Sequence, residues 1–328
     1  MKDILRAVRQ PGPHQLLVKT SHIGQNPTDV QSFDSNAFGD GAVLGCDFVG
    51  TVETLGKDVS RARQGDTIAG LIWGGELKGL GAFSEHALAD EKISFKVPKS
   101  VPVAEAATVP LASATAWLAL FSKDCLSIRR SHGEDVSVLV WGGSSSVGQY
   151  AIQLAAMYNF KVITTCSERN FDLVKSLGAH HAFDYRNPDV VKQIREVVPD
   201  LEYVFDTIGG SDSSRLASNA LKETGGRLCT VRPGKANTES VSKQTTVTDV
   251  LIWTAFLKDH RYGDFFWPAN HDDHELASIL FDKLPEWLET GKIKPNGVKV
   301  LKGLDTVPEV LQEYRDGKIS AYKIVYEI

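Results

Sequence analysis

The stretch VSVLVWGGSSSVGQYAIQLAAM, residues 136–157, decides how this chain folds. It opens with Val136–Trp141, which is almost entirely apolar and mostly β-branched, as in a buried strand of a parallel sheet. A turn rich in glycine and serine follows, and the apolar residues after it recur with the spacing of one helix face. Strand, turn and helix in this order make a phosphate site, because backbone N–H groups point outward and the helix N-terminus adds partial positive charge.

The turn also matches a dinucleotide-binding fingerprint. The pattern G-x-G-x-x-G falls on Gly143, Ser145 and Gly148, with a serine at its middle position. The middle glycine normally lets the pyrophosphate approach the backbone, so Ser145 reduces that room while supplying a hydroxyl donor. A loop without any ligand is the alternative. The position of the turn inside a longer series of strands and helices favours the dinucleotide site.

Strands and helices alternate regularly from residue 136 onward. The apolar runs predict strands over 136–141, 161–166, 181–185, 203–208 and 227–231. The segments between them predict helices over 147–157, 171–177, 190–197 and 213–221. Such alternation predicts an α/β fold with a doubly wound parallel sheet, helices on both faces and the ligand at the carboxyl ends of the strands.

The flanking segments differ from this middle region. Residues 1–112 contain short β-type runs separated by Gly and Pro turns and predict a β-rich, partly barrel-like domain, with strands over 15–22, 48–55, 67–73 and 82–88. A helix is predicted over 109–120, starting at Ser113 or Thr115. After the apolar segment 249–256 and an irregular aromatic stretch, the pattern predicts a helix over 275–288, strands over 298–301 and 323–326, and a helix over 307–314.

This tail is too short to form a domain, so we expect it to pack on the first one. The sequence therefore predicts one domain from 1–112 and 257–328, and a second from 113–256.

Composition excludes several classes of function. The 328 residues are 42% hydrophobic and 23% charged, and 36 basic against 41 acidic side chains give a net charge of −5. This balance does not favour nucleic acid or an anionic membrane surface as a partner. We find no apolar run of the roughly 18 residues that a membrane span needs, and no signal-peptide pattern. The four cysteines are scattered, as in proteins of a reducing compartment, so we expect a cytoplasmic protein.

The residues after the second predicted strand bear on the choice of cofactor. NAD enzymes place Asp or Glu about 20 residues beyond the glycine turn, where it binds the ribose 2′-hydroxyl. Here that count reaches Ser167, and Ser167–Asn170 offers a hydroxyl, a guanidinium and an amide near a helix N-terminus. These groups suit a 2′-phosphate, with Tyr185 on its other side, so the sequence predicts NADPH. A shift of one residue would instead bring Glu168 to the ribose, and the alternative role of Arg169 is a solvated surface charge.

Motifs along nearly the whole chain resemble the medium-chain dehydrogenase/reductase superfamily. They are NPTD at 26–29, LGCDFVGTV at 44–52, GD at 65–66, GAFSE at 81–85, AATVP at 106–110, TAW at 115–117 and GKISAYK at 317–323. The resemblance implies a GroES-like catalytic domain and a Rossmann domain, with the active site between them.

The resemblance is to the zinc-independent members of this superfamily. Zinc dehydrogenases carry Cys where this chain has Asn26, and a His-Glu pair where it has Cys46 and Asp47. A catalytic zinc needs three protein ligands, typically of those types, and the four closely spaced cysteines of a structural zinc lobe are absent from the sequence. We therefore predict no metal site. We interpret the HDDH segment, 271–274, as a polar loop that caps the next helix.

Within that branch the sequence most resembles the trans-acting enoyl reductases that serve fungal polyketide synthases. The phrases that carry this likeness are NPTDVQ at 26–31, GCD at 45–47, CSERNFDL at 166–173, FDYR at 183–186 and WPA at 267–269. The likeness implies NADPH-dependent reduction of the C=C bond of an α,β-unsaturated thioester, with the acyl chain carried on a polyketide synthase.

The same likeness implies site residues position by position. Gln31 and Thr115 are the candidate catalytic residues, as donors to the thioester carbonyl, and a helix N-cap is the alternative role of Thr115. Cofactor contacts are implied for Thr28, Asp29, Val30, Gln31, Ser144, Ser145, Ser146, Val147, Ser167, Glu168, Arg169, Asn170, Tyr185, Val231, Arg232, Ala321, Tyr322 and Lys323. Substrate contacts are implied for Thr115, Ala116, Trp117, Leu118, Ala255, Phe256, Leu257 and Lys258.

Departures from the relatives leave other functions open. Some relatives carry Lys at the position of Gln31, and mitochondrial-type enoyl reductases use a Tyr near Phe33 and Phe38, so no proton donor is assigned. A free-standing NADPH reductase of quinones or enals and an NADPH-binding protein without turnover are the alternatives. The aromatic residues of 253–267 line an acyl cleft or form a subunit contact, in a monomer or a homodimer.

Overall fold

The computed structural model describes residues 9–262 and 265–328. These residues divide into two compact units. The first contains the chain up to Leu111 together with Trp253–Gly291 and Pro295–Ile328, and the second contains Ala112–Ile252 with Lys292–Lys294. The chain thus returns to the first unit at Trp253, earlier than the predicted residue 257.

Fifteen strands and nine α-helices lie in the described residues. The strands are β1 Gln15–Gly24, β2 Asp47–Leu55, β3 Thr67–Leu71, β4 His86–Asp90, β5 Ser94–Lys96, β6 Ser137–Trp141, β7 Lys161–Thr165, β8 His181–Phe183, β9 Tyr203–Asp206, β10 Arg227–Thr230, β11 Thr246–Asp249, β12 His260–Tyr262, β13 Phe265–Trp267, β14 Gly297–Lys302 and β15 Tyr322–Glu327. The helices are α1 Pro27–Asp34, α2 Val103–Ala106, α3 Pro110–Phe121, α4 Ser146–Met157, α5 Phe171–Ser176, α6 Val190–Val197, α7 Ser211–Asn219, α8 His271–Glu289 and α9 Val307–Arg315.

The first unit is built on a sheet in the order β14-β15-β1-β2-β3-β5, with β4 paired to β1. Strand β15 runs antiparallel to β1, with His22 opposite Glu327, and β14 runs parallel to β15. The C-terminal tail therefore belongs to the sheet of the first unit. Buried apolar side chains of β1, β2, α9 and β15 form one continuous core in this unit.

The second unit is a six-stranded sheet in the order β11-β10-β9-β6-β7-β8, in which every pairing is parallel. Counted from β6 as the first strand, the order is 3-2-1-4-5-6, the order of a dinucleotide-binding sheet. The predicted α/β class with a doubly wound parallel sheet is thus confirmed. Strand β6 lies at the point where the order reverses, so its carboxyl end opens on the crevice where such sheets bind ligands.

The sequence patterns missed several elements. Strands β5, β11, β12 and β13 and helices α1 and α2 were not predicted. Helix α8 begins at His271, so the HDDH segment is the first turn of a helix and not a loop. Asn270 caps this helix, because its side chain accepts the N–H of Asp273 at 3.1 Å. The acidic residues of that turn suit the positive end of the helix dipole, which favours helix at a polar stretch that has no apolar period.

Helix α3 begins earlier than predicted. It starts at Pro110, a residue whose fixed φ suits the first turn of a helix, so neither Ser113 nor Thr115 is its N-cap. Together with α2 this helix forms the stretch Val103–Phe121, which is long and apolar enough to cross a membrane by length and composition. Of its apolar window 83% is buried inside the protein, as in the core helices of water-soluble proteins.

Candidate functional site

The turn between β6 and α4 is closed by backbone hydrogen bonds to the neighbouring strand. The N–H groups of Gly142 and Gly143 donate to the carbonyl oxygen of Thr165 at 3.2 and 2.9 Å. Gly142 has a φ of +87°, a left-handed conformation that favours glycine. The turn is therefore held against the carboxyl end of β7, and the chain enters α4 directly above the sheet.

Close packing requires the first and last glycines of the fingerprint. A Cβ atom on Gly143 would lie 2.0 Å from Oγ1 of Thr164, and one on Gly148 would lie 2.4 Å from the carbonyl oxygen of Gly142. Both glycines let α4 approach the strand ends, which brings the N-terminus of the helix close to the turn.

The middle position of the fingerprint is occupied by the N-cap of α4. The Oγ atom of Ser145 accepts the N–H of Gly148 at 2.9 Å and lies 2.8 Å from Oγ1 of Thr207. Thr207 in turn lies 2.9 Å from the carbonyl oxygen of Trp141, to which it donates. The hydroxyl of Ser145 is therefore engaged inside the turn and is not the spare phosphate donor that the sequence suggested. Thr207 lies near the carboxyl end of the predicted strand 203–208, but its hydrogen bond with Ser145 was not predicted.

This geometry fits a dinucleotide. Helix α4 has 12 residues, its first turn carries N–H groups that lack intrahelical acceptors, and its positive end faces the crevice at the strand ends. Ser144, Ser146 and Val147 lie at this end and are half-buried. These residues and the two packed glycines form the part of the chain that would hold the pyrophosphate.

The adjacent strand ends hold the residues predicted for the 2′-phosphate. Ser167 follows β7 and is half-buried, while Glu168 and Arg169 are exposed and Asn170 is buried. Tyr185 follows β8, the neighbour of β7, and is 45% exposed. The structure thus brings both segments to one edge of the sheet.

Two arginines at this edge differ in their partners. Arg186 donates to Asp184 at 2.6 Å, and this hydrogen bond lowers the pKa of the Asp184 carboxyl. Within the described part of the chain, no ion pair involves Arg169. The guanidinium of Arg169 is therefore the group at this edge that is available to an anionic ligand.

The end of β9 is organised by a buried carboxylate that the sequence reasoning missed. Asp206 accepts the N–H groups of Ile208 and Gly209 at 3.0 and 3.1 Å, and the hydroxyls of Ser213 and Ser214 at 2.8 Å each. The signal was an Asp at the end of an apolar strand and ahead of a glycine pair. From β10, the half-buried Arg232 reaches across and donates from Nε to the carbonyl oxygen of Gly209 at 3.1 Å, and Val231 is also half-buried.

The first unit contains a buried polar network where zinc dehydrogenases carry metal ligands. Asp47 is fully buried and accepts the N–H of Leu111 at 2.8 Å and the side-chain amide of Asn26 at 2.9 Å. It also accepts a hydrogen bond from the ammonium group of Lys323, a residue that is 3% exposed. Lys323 is thus one half of a buried ion pair, a role that the sequence did not predict.

Asp29 lies beside this pair at the start of α1. Its Oδ2 atom accepts the backbone N–H of Asn26 at 2.7 Å, which closes a capping box. Burial raises the pKa of Asp29 to about 7, while hydrogen bonds from the Asn26 N–H and from Cys46 partly oppose this shift. Burial also raises the pKa of the Cys46 thiol.

A zinc ion does not fit this network. Metal ligation requires a thiolate, and burial beside two carboxyls raises the pKa of the Cys46 thiol, which opposes its ionisation. The oxygens of Asp47 are taken by two N–H donors and an ammonium group, and an amide stands at position 26. Across residues 9–262 and 265–328, no group of three or more His, Cys, Asp or Glu side chains is placed to hold a metal.

The raised pKa of Asp29 predicts that stability falls as pH rises. The ordinary pKa is 3.8, so between that value and about 7 the folded protein binds more protons than the unfolded chain. From pH 5 to pH 7 we expect the free energy of unfolding of the wild type to fall by about 2 kcal/mol more than that of Asp29→Asn, measured by urea titration. Asp172→Asn, at an exposed helix position, serves as the control. Parallel pH profiles for the wild type and Asp29→Asn would contradict the prediction.

The other residues near α1 and β15 that were predicted to contact the cofactor differ in their burial. Val30 is buried in the core of the first unit, so its side chain serves packing, whereas Gln31 is exposed and Thr28 is half-buried. Ala321 has a φ of +66° and, like Tyr322, is half-buried.

The residues predicted to face the substrate are mostly buried in α3. Thr115 is 6% exposed, and Ala116, Trp117 and Leu118 are 1% exposed or less. Trp117 packs against Phe121, with ring centroids 4.6 Å apart. In this structure Trp117 is therefore a core residue.

The segment 255–258 is also tied into the fold. Ala255 is buried, and its carbonyl oxygen lies 2.7 Å from Nδ1 of His274. Lys258 forms an ion pair with Glu76, while Phe256 is half-buried and Leu257 is exposed. His274, the second histidine of the HDDH segment, thus anchors residues 255–258 to α8.

Both units of the chain match known protein families. Residues 12–99 match the alcohol dehydrogenase GroES-like domain, and residues 146–263 match the zinc-binding dehydrogenase family. A zinc-type alcohol dehydrogenase-like protein of Schizosaccharomyces pombe is 34% identical over 99% of this chain and 96% of its own length. A trans-enoyl reductase of Penicillium crustosum is 32% identical over 98% of this chain and 92% of its own length.

A solved structure shows the same fold. The CurK enoyl reductase has a TM-score of 0.76 and 19% identity, over 98% of this chain and 93% of that one. Together with the family matches, it confirms the predicted combination of a GroES-like and a Rossmann-type fold.

Proposed function

We propose that this chain, which belongs to the medium-chain dehydrogenase/reductase superfamily in the branch that contains fungal trans-enoyl reductases, reduces the C=C bond of an α,β-unsaturated thioester with NADPH. The superfamily consists of nicotinamide dinucleotide-dependent oxidoreductases, and this chain is one of them. We further propose that it acts in trans on an acyl chain carried by a polyketide synthase.

The observation that carries this proposal is the Asp47–Lys323 network. The side chains of Asn26, Cys46 and Asp47 do not suit a zinc ion. These residues therefore do not provide a zinc ion to polarise the carbonyl group of the acceptor. Hydride transfer without a Lewis acid works best on an acceptor that is already activated, such as a C=C bond conjugated to a thioester carbonyl. The full-length likeness to a trans-enoyl reductase supports the same substrate class.

The residues of this chain would act by binding and electrostatics. When bound, the nicotinamide cofactor supplies a hydride for the β-carbon of the substrate. Negative charge then develops on the thioester carbonyl oxygen, and we propose the Thr115 hydroxyl and the Gln31 amide as the donors that stabilise it. The α-carbon then takes a proton from water or from an unassigned donor. The turn at Ser144–Val147 and the strand ends at Ser167–Asn170 would hold the two ends of the dinucleotide.

The first experiment compares acceptors and cofactors in one assay. Loss of reduced-nicotinamide absorbance is followed with an α,β-unsaturated thioester and with a quinone, each with NADPH and with NADH. Thioester turnover that prefers NADPH is expected. Turnover of the quinone alone would identify a detoxifying reductase instead, and binding of NADPH without oxidation by any acceptor would favour a non-catalytic protein.

Selectivity for NADPH is expected to depend on Arg169. Its exposed guanidinium has no ion-pair partner among the described residues, so a 2′-phosphate would gain a charge-assisted hydrogen bond there. Arg169→Ala is expected to raise the KM for NADPH about tenfold and to leave the KM for NADH unchanged. Arg215→Ala, a change at a half-buried arginine of α7 that pairs with Asp212, is the control. An unchanged ratio of the two KM values would refute this role and point to Glu168 as the ribose ligand.

A further inference from the structure

An exposed patch of apolar and basic side chains lies on the first unit. Three large apolar residues there, Leu77, Leu257 and Phe266, are 47%, 44% and 45% exposed. Most apolar side chains of similar size in the described residues are buried. We name this surface the 77/266 patch and include in it the basic residues Lys78 and Arg261. Exposed apolar groups of this kind often mark interaction sites.

Glu76 joins the two segments that form the 77/266 patch. Its side chain is 13% exposed, and Oε1 lies 2.7 Å from Nδ1 of the buried His260. Its other carboxylate oxygen accepts a hydrogen bond from the ammonium group of Lys258. These two contacts hold Glu76 against residues 258–260, so the exposed Leu77 and Leu257 each lie next to a residue of this ion-pair cluster.

Stacked aromatic rings stiffen the base of the 77/266 patch. The indoles of Trp73 and Trp253 are parallel, with centroids 4.7 Å apart, and Tyr262 lies 6.2 Å from Trp73. Trp253 is buried, whereas Phe265 and Phe266, which belong to the same group of aromatic residues predicted from the sequence, are exposed. The set is therefore part core and part exposed surface.

The strands β12 and β13 form a two-stranded ribbon that displays its aromatics. Arg261 lies opposite Phe266, and its guanidinium sits 4.5 Å from the ring centroid. Phe265, the neighbouring residue of β13, points to the opposite face of the ribbon and stacks on Trp267, with ring centroids 5.6 Å apart. A two-stranded ribbon has marginal stability in water, and these exposed rings would be better buried by a partner.

The charges of the 77/266 patch are cationic. Lys78 donates to the backbone carbonyl of Asp40 at 3.1 Å, and no carboxylate pairs with Lys78 or Arg261 in the described residues. The nearby Glu76 is already paired, and Asp259 accepts the N–H of Ala269 at 2.9 Å. A chain with a net charge of −5 thus presents here two cations that pair with no carboxylate of the described residues.

We propose that the 77/266 patch docks an acidic acyl carrier domain, which delivers the thioester of the proposed function. Carboxylates on that domain would pair with Lys78 and Arg261, and an apolar contact would cover Leu77 and Phe266. A small free substrate has no use for such a surface, whereas a substrate that is covalently attached to another protein requires one. This inference rests on the proposed reduction of a carrier-bound thioester.

The test compares two forms of one substrate. The kcat/KM is measured for a crotonyl thioester on a fungal polyketide synthase carrier domain and for crotonyl-N-acetylcysteamine. Arg261→Glu and Leu77→Ser are each expected to lower the carrier-domain value about tenfold and to leave the small-thioester value within about twofold. Added salt should lower the wild-type rate with the carrier domain only. Ile279→Ser, at a 44% exposed apolar residue of α8, and Arg215→Glu are the controls.

Other results of these measurements would either contradict or support docking at the 77/266 patch. Equal losses with both substrates would make the 77/266 patch part of the catalytic unit, and unchanged values with both would remove it from docking, so either result overturns the inference. Conversion of a wild-type dimer to monomers by Leu77→Ser, seen by light scattering, would identify a subunit contact and overturns it too. Binding of the unacylated holo carrier domain, lost in Arg261→Glu, would support docking even if neither thioester is reduced. Failure of the wild type both to bind and to reduce would reject the inference and the proposed function together.

Discussion

Replacing Lys323 by methionine is expected to lower the free energy of unfolding by about 3–5 kcal/mol. The substitution removes the ammonium group that faces Asp47 and leaves a carboxylate without a countercharge in a fully buried position. The N–H of Leu111 and the amide of Asn26 would still donate to that carboxylate, but neither donor carries a charge. Urea titration followed by circular dichroism measures the change.

A double-variant cycle separates the ion pair from simple loss of packing. In Asp47→Asn/Lys323→Met both charges are gone, and the Asn side chain keeps an acceptor for a neighbouring N–H. We expect this double variant to be more stable than Lys323→Met, which gives a coupling energy above about 1 kcal/mol. Lys299→Met, which breaks the partly exposed pair with Glu313, is the control and should change stability little. Additive losses in the cycle would show that the buried pair is not coupled.

Replacing Gly148 by alanine is expected to weaken NADPH binding by about 10- to 100-fold. The added Cβ would lie 2.4 Å from the carbonyl oxygen of Gly142 and 2.8 Å from the Cα of Gly143. Both atoms belong to the backbone of the phosphate turn, which must move to make room. A shifted turn no longer aims its N–H groups and the start of α4 at the pyrophosphate. Fluorescence titration with NADPH measures the affinity.

A second glycine shows whether the effect belongs to the turn. Gly297 begins β14 in the first unit, and the nearest atom to an added Cβ there is the carbonyl oxygen of Ala321 at 3.9 Å. Gly297→Ala should therefore bind NADPH like the wild type. If Gly148→Ala kept wild-type affinity while retaining the wild-type circular dichroism spectrum, the β6–α4 turn would not be the pyrophosphate site.

Local sequence patterns predicted the elements well where apolar residues recur with a strong period. They predicted poorly where capping residues determine whether a helix forms. Helix α6 was predicted with its observed bounds, because its apolar residues keep a regular spacing. Helix α1 was missed because its eight residues show a weak apolar period, and Asn26, Pro27 and Asp29 start it through a capping box. Strand β11 was missed because Thr246–Asp249 is mostly polar and lies at the edge of the sheet.

The order of strands, turns and helices can be derived from the sequence, because periodicity and glycine spacing act over a few residues. The sequence predicts the parallel sheet, the glycine turn after its first strand and the crevice at the strand ends. It does not predict the contacts made by residues far apart in the chain, such as Ser145 with Thr207 or Asp47 with Lys323, which are 62 and 276 positions apart. Those pairings exist because the sheets bring distant segments together: β6 pairs with β9, and β2 and β15 both pair with β1. Burial there turns ordinary polar side chains into an N-cap network and an ion pair. No local pattern encodes that proximity, so the folded structure was needed to see it.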